Sequence, residues 1–429
     1  MKILVVGGGG REHAIIKKLK ESSRKMQLYA APGNGGIAYD AKIVDIKSTD
    51  IESLADFSQS EGIDYVIVAP DDPLVLGLVD RLAERGIPAF GPDAAAARIE
   101  GSKAFAKNLM KKYEIPTAGY EIFTDVDDAM EYIRKSNRYP VVIKADGLAL
   151  GKGVLICADE REAGDAVREM LVDGRFGASG SRIVIEEFLM GPEVSVLCFT
   201  DGQTLAPMAS SMDHKRAFDG DLGLNTGGMG TIAPNPYYTD EIADACMRDI
   251  FLPTVDAMRS EGCPFKGCLY FGLMLTENGP RVIEYNCRFG DPEAQVVLPL
   301  LEGDLLEIML ATTNGTLKDI EVRSSDKSAA CVVLASGGYP EKYEKGKRIT
   351  GLQSGQTGID SVFVYHAGTA QKDGEIVTSG GRVLGVCAVG DNLPDAIRRA
   401  YDAADTIDFE NVYKRSDIGG RALAALSGK

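Results

Sequence analysis

The sequence predicts a multidomain protein that combines the α/β and α+β classes. Its 429 residues are enough for roughly two to four domains. The first part alternates apolar strand-like runs with helical patterns, which is typical of an open parallel α/β sheet. The last part carries three strand-like runs and a helical pattern, which indicates an α+β domain. We therefore place three domains at residues 1–101, 102–325 and 326–429.

Composition and charge exclude several function classes. Hydrophobic residues make up 45% of the chain and charged residues 26%, as in ordinary globular proteins. No apolar run approaches the roughly eighteen residues that cross a bilayer, and the first run, residues 3–6, is too short for a signal peptide. Lys plus Arg number 47 against 63 Asp plus Glu, a net charge of −16, which argues against nucleic acid and anionic membranes as partners.

The cysteines and histidines indicate the cellular compartment. The eight cysteines lie mostly in strand-like apolar runs and form no disulfide-like framework in a chain of this length. With only three histidines in the chain, no zinc-binding pattern is present. We expect buried, reduced thiols in a cytoplasmic protein that binds small molecules.

The N-terminal domain opens on a strand, a glycine loop and a helix. Residues 2–6 form the strand, and residues 7–13, G-G-G-G-R-E-H, form a loop that leads into a helical pattern. This layout suits an anion at the helix N-terminus. A dinucleotide fingerprint fails because Glu12 or His13 occupies the position of the third glycine. The loop favours a monophosphate or a structural turn, and an NAD-dependent oxidoreductase stays a less favoured alternative.

More α/β units follow in the same domain. Strands are predicted at residues 27–30 and 65–69, each followed by a turn, at 32–36 and 70–73. A helix is predicted over residues 74–85. Loops at the carboxyl ends of parallel strands are where open α/β sheets bind ligands.

The central region places lysines beside a glycine-rich loop. A predicted helix at 102–113 carries Lys103, and a predicted strand at 141–145 carries Lys144. The loop 146–154 reads D-G-L-A-L-G-K-G-V. It is not a Walker A loop because three residues, not four, separate its first two glycines. It suits a mobile flap that covers phosphates, and a hairpin turn with a solvated lysine is the alternative.

Two further stretches carry polar side chains. A helix at 161–172 precedes a predicted strand at 182–189, whose carboxylates and apolar pair suit an adenine and a ribose, although an edge strand protected by charge explains them equally well. The polar loop 213–230 contains few apolar residues and is expected to line a site, with Lys215 and Arg216 as a phosphate clamp.

The most informative stretch is residues 281–293. It follows a predicted helix at 239–261 and pairs as a hairpin with a strand at 268–276. Glu284 and Asn286 fall on one face of the strand and suit Mg²⁺. Arg288 and the turn G-D-P-E follow, a combination that positions a reactive anion better than it fills a core. A surface ion pair at a strand end is the alternative.

The C-terminal region shows strands at 328–335, 361–370 and 382–389 and a helix at 394–404. No clustered catalytic side chains are evident in it. We expect an α+β domain that covers the site.

Several motifs together resemble a known family. They are G-L-A-L-G-K-G-V at 147–154, V-I-E-E-F-L at 184–189, D-H-K-R at 213–216, N-T-G-G-M-G at 225–230, E-Y-N-C-R-F-G-D-P-E at 284–293, G-R-E-H at 10–13, G-R-V-L at 381–384 and D-I-G at 417–419. In this order they resemble the phosphoribosylamine–glycine ligase (glycinamide ribonucleotide synthetase) family of ATP-grasp enzymes over nearly the whole chain.

The resemblance implies a fold and a reaction. It implies a central ATP-grasp fold with a mobile flap subdomain at about 120–192. In the implied reaction ATP phosphorylates the carboxylate of glycine, and the amine of 5-phosphoribosylamine attacks the acyl phosphate, giving glycinamide ribonucleotide, ADP and phosphate. ATP, Mg²⁺ or Mn²⁺, and a monomeric state are implied. Another ATP-grasp carboxylate–amine ligase, and a catalytically silent nucleotide-binding regulator, stay as alternatives.

The resemblance also implies roles for individual residues. The predicted ATP ligands are Lys103, Lys144, Gly151, Lys152, Gly153, Glu186, Glu187, Phe188, Leu189 and Glu193. The predicted metal ligands are Glu284 and Asn286. The predicted substrate ligands are Gly10, Arg11, Glu12, Asp213, Lys215, Arg216, Asn225, Gly228, Met229, Arg288, Gly290 and Asp291. Among these, Arg288 would stabilise the acyl phosphate, Asp291 would hold the ammonium of glycine, and Lys215 would act with them in catalysis.

Two positions depart from the family pattern. The stretch 270–274 offers no acidic residue before Glu284, so a second metal held fully by protein is not expected. Residues 69–74 read A-P-D-D-P-L where the family has G-P-E-x-P-L, which shortens an acidic side chain at Asp71.

Overall fold

The computed structural model describes residues 1–148, 153–175, 177–352 and 361–428. Its N-terminal part is a parallel sheet in the order β3-β2-β1-β4-β5. The elements are β1 (Lys2–Gly7), α1 (Gly10–Leu19), β2 (Gln27–Pro32), β3 (Lys42–Ile43), α2 (Ile51–Glu61), β4 (Tyr65–Val68), α3 (Asp71–Val75), α4 (Leu78–Glu84), β5 (Ala89–Phe90) and α5 (Ala94–Gly101). The predicted open parallel α/β domain is confirmed.

The core of this sheet explains its continuous apolar strands. The residues of β1 from Ile3 to Val6 are fully buried, as expected of a parallel strand with helices on both faces. The single helix predicted over 74–85 is wrong. Gly77, with a left-handed φ of 84°, separates α3 from α4.

The flap subdomain is an antiparallel sheet in the order β6-β9-β7-β8, with two helices packed on it. Its elements follow α6 (Lys103–Lys112) and are β6 (Tyr120–Phe123), α7 (Val126–Ser136), β7 (Val141–Ala145), β8 (Val154–Cys157), α8 (Glu160–Leu171) and β9 (Ile183–Glu187). The side chain of Ser102 caps α6 by accepting the N–H of Phe105, which fixes Lys103 at the first turn.

The central sheet is antiparallel in the order β11-β10-β16-β17. The elements of this region are β10 (Glu193–Thr200), β11 (Leu205–Pro207), β12 (Met212–Asp213), β13 (Arg216–Phe218), β14 (Leu222–Asn225), β15 (Gly230–Ala233), α9 (Asp240–Cys246), α10 (Leu252–Ser260), β16 (Gly267–Thr276), β17 (Gly279–Asn286), α11 (Ala294–Leu300), β18 (Leu301–Glu302), α12 (Leu305–Asn314) and β19 (Arg323–Ser324). A π-helical segment, Met247–Phe251, joins α9 to α10. The predicted hairpin is confirmed, whereas the polar loop 213–230 contains the unexpected hairpin β13–β14.

The C-terminal sheet has the order β12-β15-β20-β24-β21, with β25 paired to the end of β20. Its remaining elements are β20 (Ser328–Ser336), β21 (Val362–His366), β22 (Thr369–Lys372), β23 (Glu375–Thr378), β24 (Arg382–Gly390), α13 (Leu393–Ala404), β25 (Val412–Tyr413) and α14 (Gly420–Leu426). The single strand predicted at 361–370 is two strands, β21 and the start of β22. The sheet takes β12 and β15 from the central region, so it crosses the predicted boundary at residue 326, which stays a prediction.

Two expectations from composition can be compared with the structure. All eight cysteines are buried and unpaired, as predicted. Among the described residues no helix is both long and apolar enough to span a membrane.

Candidate active site

Strand β17 carries the two residues predicted to hold a metal ion. Glu284 and Asn286 lie two residues apart, so their side chains leave the same face of the strand. Glu284 pairs with Gly272 on β16, where an added Cβ would lie 2.8 Å from the Cγ atom of Glu284. A glycine at this position therefore leaves the Glu284 side chain its space.

The ammonium of Lys215 lies between two carboxylates at this face. Its Nζ atom is 3.2 Å from Glu284 Oε1 and 3.2 Å from Glu193 Oε2. Lys215 lowers the pKa of Glu284 to about 2 although burial opposes this shift, so the carboxylate is ionised at neutral pH. No group of three or more His, Cys, Asp or Glu that could hold a metal occurs in the described part of the chain. A divalent ion on Glu284 and Asn286 would thus complete its shell with water or phosphate oxygens.

Two further lysines face the same space. Lys144 Nζ donates to the carbonyl of Ile283 at 2.9 Å, directly before Glu284 in β17. Lys103 Nζ donates to the carbonyl of Gly147 at 2.9 Å. Both ammonium groups contribute, after Lys215, to the low pKa of Glu284. The structure therefore brings Lys103 and Lys144, two of the predicted phosphate-binding lysines, to the predicted metal ligands.

The flap loop is described only in part. Gly151 and Lys152, two predicted phosphate ligands, lie outside the described residues. Gly153 is buried directly before β8. The roles of these three residues stay predictions.

Strand β9 carries Glu186 and Glu187, and the other predicted adenine-side residues follow its end. It lies between β6 and β7, so the alternative of an edge strand protected by charge is wrong. Glu186 is buried, and its Oε1 atom lies 3.0 Å from Lys144 Nζ. Glu187 is exposed and accepts a backbone N–H. Phe188, which is 37% exposed, and the half-buried Leu189 follow. Their apolar surface is accessible beside the strand end, as an adenine ring requires.

Arg288 lies in a buried, acidic surrounding. Its Nη2 atom is 2.8 Å from Glu100 Oε1 and 4.0 Å from Asp71 Oδ2, and it donates to Asn286 Oδ1 at 3.3 Å. Its buried Nε atom has no acceptor among the described residues. Burial lowers the pKa of Arg288, but Glu100 and Asp71 outweigh it and raise the value. The guanidinium is thus held by two acids, and its Nε donor is left without a partner among the described residues.

The loop after Arg288 meets both other domains. Asp291 Oδ1 accepts from Gln295 Nε2 at 2.8 Å, and Asp291 Oδ2 lies 3.3 Å from Arg382 Nη2. Arg382 Nη1 also donates to the carbonyls of Asp291 at 2.6 Å and of Gly227 at 2.5 Å. Burial works against ionisation of Asp291, but Arg382 holds its pKa below the usual range.

The N-terminal glycine loop also lies beside Asp291. A Cβ on Gly9 would lie 3.2 Å from Asp291 Oδ2, and one on Gly10 would lie 3.7 Å from Asp291 Oδ1. Arg11 donates to the carbonyl of Phe289 at 3.1 Å and pairs with Glu12 at 2.7 Å. The predicted substrate residues of this loop therefore lie beside the G-D-P-E turn, where Gly290 packs on the Glu293 side chain.

The side chains of the polar loop 213–230 contact two different parts of the molecule. Asp213 Oδ1 lies under Gly228, where a Cβ would be 2.6 Å away and φ is 108°, so glycine is required there. Met229 is fully buried. Arg216 donates to the carbonyl of Gly223 at 2.8 Å, inside its own hairpin, which Asn225 closes by pairing with it. Lys215 turns to the metal-binding face, so the two halves of the predicted phosphate clamp point to different partners.

A cleft of about 370 Å³ lies where the three parts of the chain meet. The N-terminal part contributes Gly9 and Asn34, the central part contributes Asp291, and the C-terminal part contributes Thr369 and Arg382. It adjoins Arg288 through the short loop that ends at Asp291. One end of this cleft is therefore next to the predicted site of acyl transfer.

Matches to protein-family models identify the family of this chain. Three models of phosphoribosylglycinamide synthetase match the chain in order: the N domain at residues 1–100, the ATP-grasp (A) domain at 101–294 and the C domain at 329–421. The chain belongs to the phosphoribosylglycinamide synthetase family. The resemblance found in the motifs is thereby confirmed, with the ATP-grasp fold and the class of carbon–nitrogen ligases of purine biosynthesis.

Relatives match this phosphoribosylglycinamide synthetase chain along its whole length. It is 49% identical to a phosphoribosylamine–glycine ligase of Caldanaerobacter subterraneus subsp. tengcongensis, over 97% of this chain and 99% of that protein. A ligase of the same name from Vibrio vulnificus is 47% identical over 99% of both chains. The crystal structure of the phosphoribosylamine–glycine ligase of Thermotoga maritima aligns with a TM-score of 0.85 and 34% identity, covering 97% of this chain and all of that one.

A more distant structure shows how far the fold extends beyond the phosphoribosylglycinamide synthetases. The biotin carboxylase domain of the 2-oxoglutarate carboxylase of Hydrogenobacter thermophilus, solved with MgADP and bicarbonate, aligns with a TM-score of 0.74 at 19% identity, over 96% of this chain and 91% of that one. At this identity it shows the shared fold alone. ATP with a divalent metal is what the ATP-grasp fold implies.

Residue-by-residue reasoning missed three parts of the site in this synthetase. Arg382 belongs to the G-R-V-L motif quoted for the resemblance, yet no role was assigned to it and the C-terminal domain was expected to hold no site cluster. Glu100 ends a helix with no polar pattern around it. Asp71 has a shorter side chain than the glutamate of the family pattern, and its carboxylate lies 4.0 Å from Arg288.

His214 in the D-H-K-R motif predicts a pH dependence of stability. The buried ring accepts the N–H of Gly419 at Nε2, 3.1 Å, and Nδ1 lies 3.2 Å from the carbonyl of Gly230, so the neutral ring satisfies both contacts. Burial, followed by Arg415 and Arg421, lowers its pKa to about 4 from the ordinary value of 6.5. Because the folded pKa is the lower one, this stability is complete above pH 6.5 and is lost as the pH falls to about 4. Unfolding by urea should show a loss of roughly 3 kcal/mol from this group.

The matched variant is His214→Gln, whose amide does not titrate in this range. We expect the free energy of unfolding of wild type and variant to converge between pH 6.5 and 4, because only the wild type loses this contribution. Parallel curves for the two proteins would contradict the assignment.

Proposed function

We propose that this chain joins glycine to 5-phosphoribosylamine through a glycyl phosphate, and that the residues of the candidate site carry the reaction. The observation that supports this most is the single space shared by Glu284, Asn286, Lys215, Lys144 and Lys103 beside the buried Arg288. A nucleotide-binding regulator would need no free guanidinium donor next to the phosphate side. An NAD-dependent enzyme would need neither the metal-binding pair Glu284 and Asn286 nor the guanidinium of Arg288.

In the first step an oxygen of the glycine carboxylate attacks the γ-phosphorus of ATP, and the bond to the ADP oxygen breaks. Lys103 and Lys144 would bind phosphate oxygens, and Arg288 Nε would donate to the acyl phosphate as its charge develops. Glu284 and Asn286 would hold a divalent ion, whose positive charge would lessen the repulsion between the two anions. We propose Mg²⁺, since oxygen donors and nucleotide phosphates favour it, and Mn²⁺ stays a prediction.

In the second step the amine nitrogen of phosphoribosylamine attacks the acyl carbon, the carbon–oxygen bond to phosphate breaks, and the nitrogen loses a proton. Asp291, kept ionised by Arg382, would hold the ammonium of glycine. The phosphoribosyl group would occupy the cleft between Gly9, Asn34, Thr369 and Arg382, which ends at Asp291.

ADP release tests this proposal. We expect release only when ATP, Mg²⁺, glycine and phosphoribosylamine are present together, with glycinamide ribonucleotide identified by mass spectrometry. A panel of other amino acids and amines discriminates related carboxylate–amine ligases. Faster turnover with another acid or amine, or turnover that depends on NAD, would refute the proposal. A cytoplasmic monomer without nucleic-acid or membrane partners stays a prediction that the net charge of −16 favours.

A further inference from the structure

Lys107 is a buried lysine without a role in the site as described so far. It lies on α6, one helical turn after Lys103, and 3% of its side chain is exposed. Its Nζ atom is 2.9 Å from Glu186 Oε2 and donates to Thr117 Oγ1 at 2.8 Å. It also lies 5.6 Å from the centre of the Tyr120 ring. A lysine is rarely buried to this extent unless its charge is used.

Glu186 is shared between Lys107 and Lys144. Its Oε2 atom pairs with Lys107, and its Oε1 atom lies 3.0 Å from Lys144 Nζ. The geometry of the second contact is poor, because Glu186 Oε1 has no well-aligned donor among the described residues. One carboxylate thus stands between two ammonium groups, and the row Lys107–Glu186–Lys144 carries a net positive charge. Burial opposes ionisation of Glu186, but Lys144 and Lys107 hold its pKa below the usual range.

Both ends of this row contact β17. Lys144 donates to the carbonyl of Ile283 at 2.9 Å. At the other end Thr117, which accepts from Lys107, donates to the carbonyl of Val282 at 2.7 Å. Two consecutive carbonyls directly before Glu284 are therefore held by one ionic row. The row joins the flap sheet to the strand that carries the predicted metal ligands.

We propose that Lys107 is a positioning residue for the nucleotide. Lys107 forms an ion pair with one carboxylate oxygen of Glu186, so only the other oxygen is left for Lys144. The Lys144 ammonium is therefore not fully neutralised and keeps its charge and its N–H groups for phosphate. The proposal rests on the proposed function, because it requires that ATP binds beside Lys144. Lys107 itself is too deeply buried to contact the nucleotide, so its effect passes through Glu186.

The main test replaces Lys107 by methionine, which keeps the length of the side chain and removes its charge. We expect the Kd for MgATP, measured by isothermal titration calorimetry without glycine, to rise about tenfold. The KM for ATP should rise in parallel, while kcat and the KM for glycine change less than about threefold. The matched control is Lys111→Met. Lys111 is exposed on the same helix, lies 5.6 Å from the centre of the same Tyr120 ring and should leave the ATP affinity unchanged.

A pH series separates positioning from simple packing. Burial lowers the pKa of Lys107 to about 8 against the opposing charge of Glu186, with Lys144 and Glu187 as the other charged groups that act on it. ATP affinity of the wild type should therefore fall above about pH 8. Lys107→Arg keeps its charge to a much higher pH, so the decline should be smaller in the arginine variant, where the remaining part comes from Lys103, whose pKa is also lowered by burial and by Lys144.

The outcomes distinguish the two proposals. If the wild type binds MgATP and Lys107→Met binds it equally well, the role of Lys107 is refuted while the proposed function stands. If the wild type binds no MgATP, the proposed function itself fails. If thermal melting shows that Lys107→Met is unfolded, the arginine variant decides, and an alkaline decline identical to that of the wild type would refute the role.

Discussion

Arg288→Ala should lower kcat by about a hundredfold to a thousandfold while the Kd for MgATP changes less than about threefold. The reason is the free Nε donor of a guanidinium that Glu100 and Asp71 hold in place beside the metal-binding face. In the proposed reaction this donor would stabilise charge that develops only as the acyl phosphate forms and is transferred. Single-turnover ADP formation and calorimetry with MgATP measure the two quantities separately.

The control for Arg288 must account for the acids around it. Removing the guanidinium leaves the buried Glu100 unpaired, which can cost several kcal/mol of stability. Arg288→Ala combined with Glu100→Gln removes that charge and should fold while staying inactive. Arg288→Lys should recover little activity because a lysine has no counterpart of the Nε donor. A parallel loss of ATP affinity and kcat in the single variant would mean that Arg288 binds the nucleotide instead.

Arg382→Ala should weaken the binding of glycinamide ribonucleotide by about fiftyfold or more and leave the Kd for MgATP nearly unchanged. Arg382 lines the cleft, donates to the carbonyls of Asp291 and Gly227 and pairs with the Asp291 carboxylate, so it fixes the part of the cleft wall at Asp291. The two side chains are 20% and 17% exposed, and losing one partner of a largely desolvated charge pair typically costs about 2–5 kcal/mol, because the other charge is left unpaired. Calorimetry with the product measures this directly.

Arg399→Ala is the matched control for Arg382. Arg399 lies in the same domain and also donates to a backbone carbonyl, that of Val389, at 2.8 Å. We expect its replacement to leave product binding unchanged. Equal losses in both variants would show that the C-terminal domain acts through its stability and not through Arg382.

The elements with a local signal were predictable from the sequence. The helix predicted at 102–113 and the strand predicted before Glu284 are set by neighbouring residues, and both appear in the structure as α6 and β17. Predictions from neighbouring residues were wrong where a glycine or a short turn interrupts an otherwise regular pattern. Gly77 divides a helical pattern that is otherwise continuous, and a short turn after His366 divides a predicted strand in two.

The missed residues of the site have a different cause. Arg382 reaches Asp291 across 91 residues of chain, and Glu100 reaches Arg288 across 188, so no window of sequence contains both partners. Lys107 has the spacing of an ordinary amphipathic helix, and its burial depends on strands that come later. Periodicity predicts which face of an element is buried, but the partner of a buried charge is decided by tertiary packing.

The shared C-terminal sheet limits how this protein can be divided. Because β15 pairs with β20 along its length, a fragment that starts at residue 326 would present β20 with one unsatisfied row of amide and carbonyl groups. Such an open edge recruits any free strand, including that of a second fragment. The loop 213–230 lies between β12 and β15, so cutting the chain there leaves Lys103 and Lys144 on one piece and Glu284 and Asn286 on the other. We therefore expect two coexpressed fragments to restore activity only when the chain is divided outside the segment from β12 to β20.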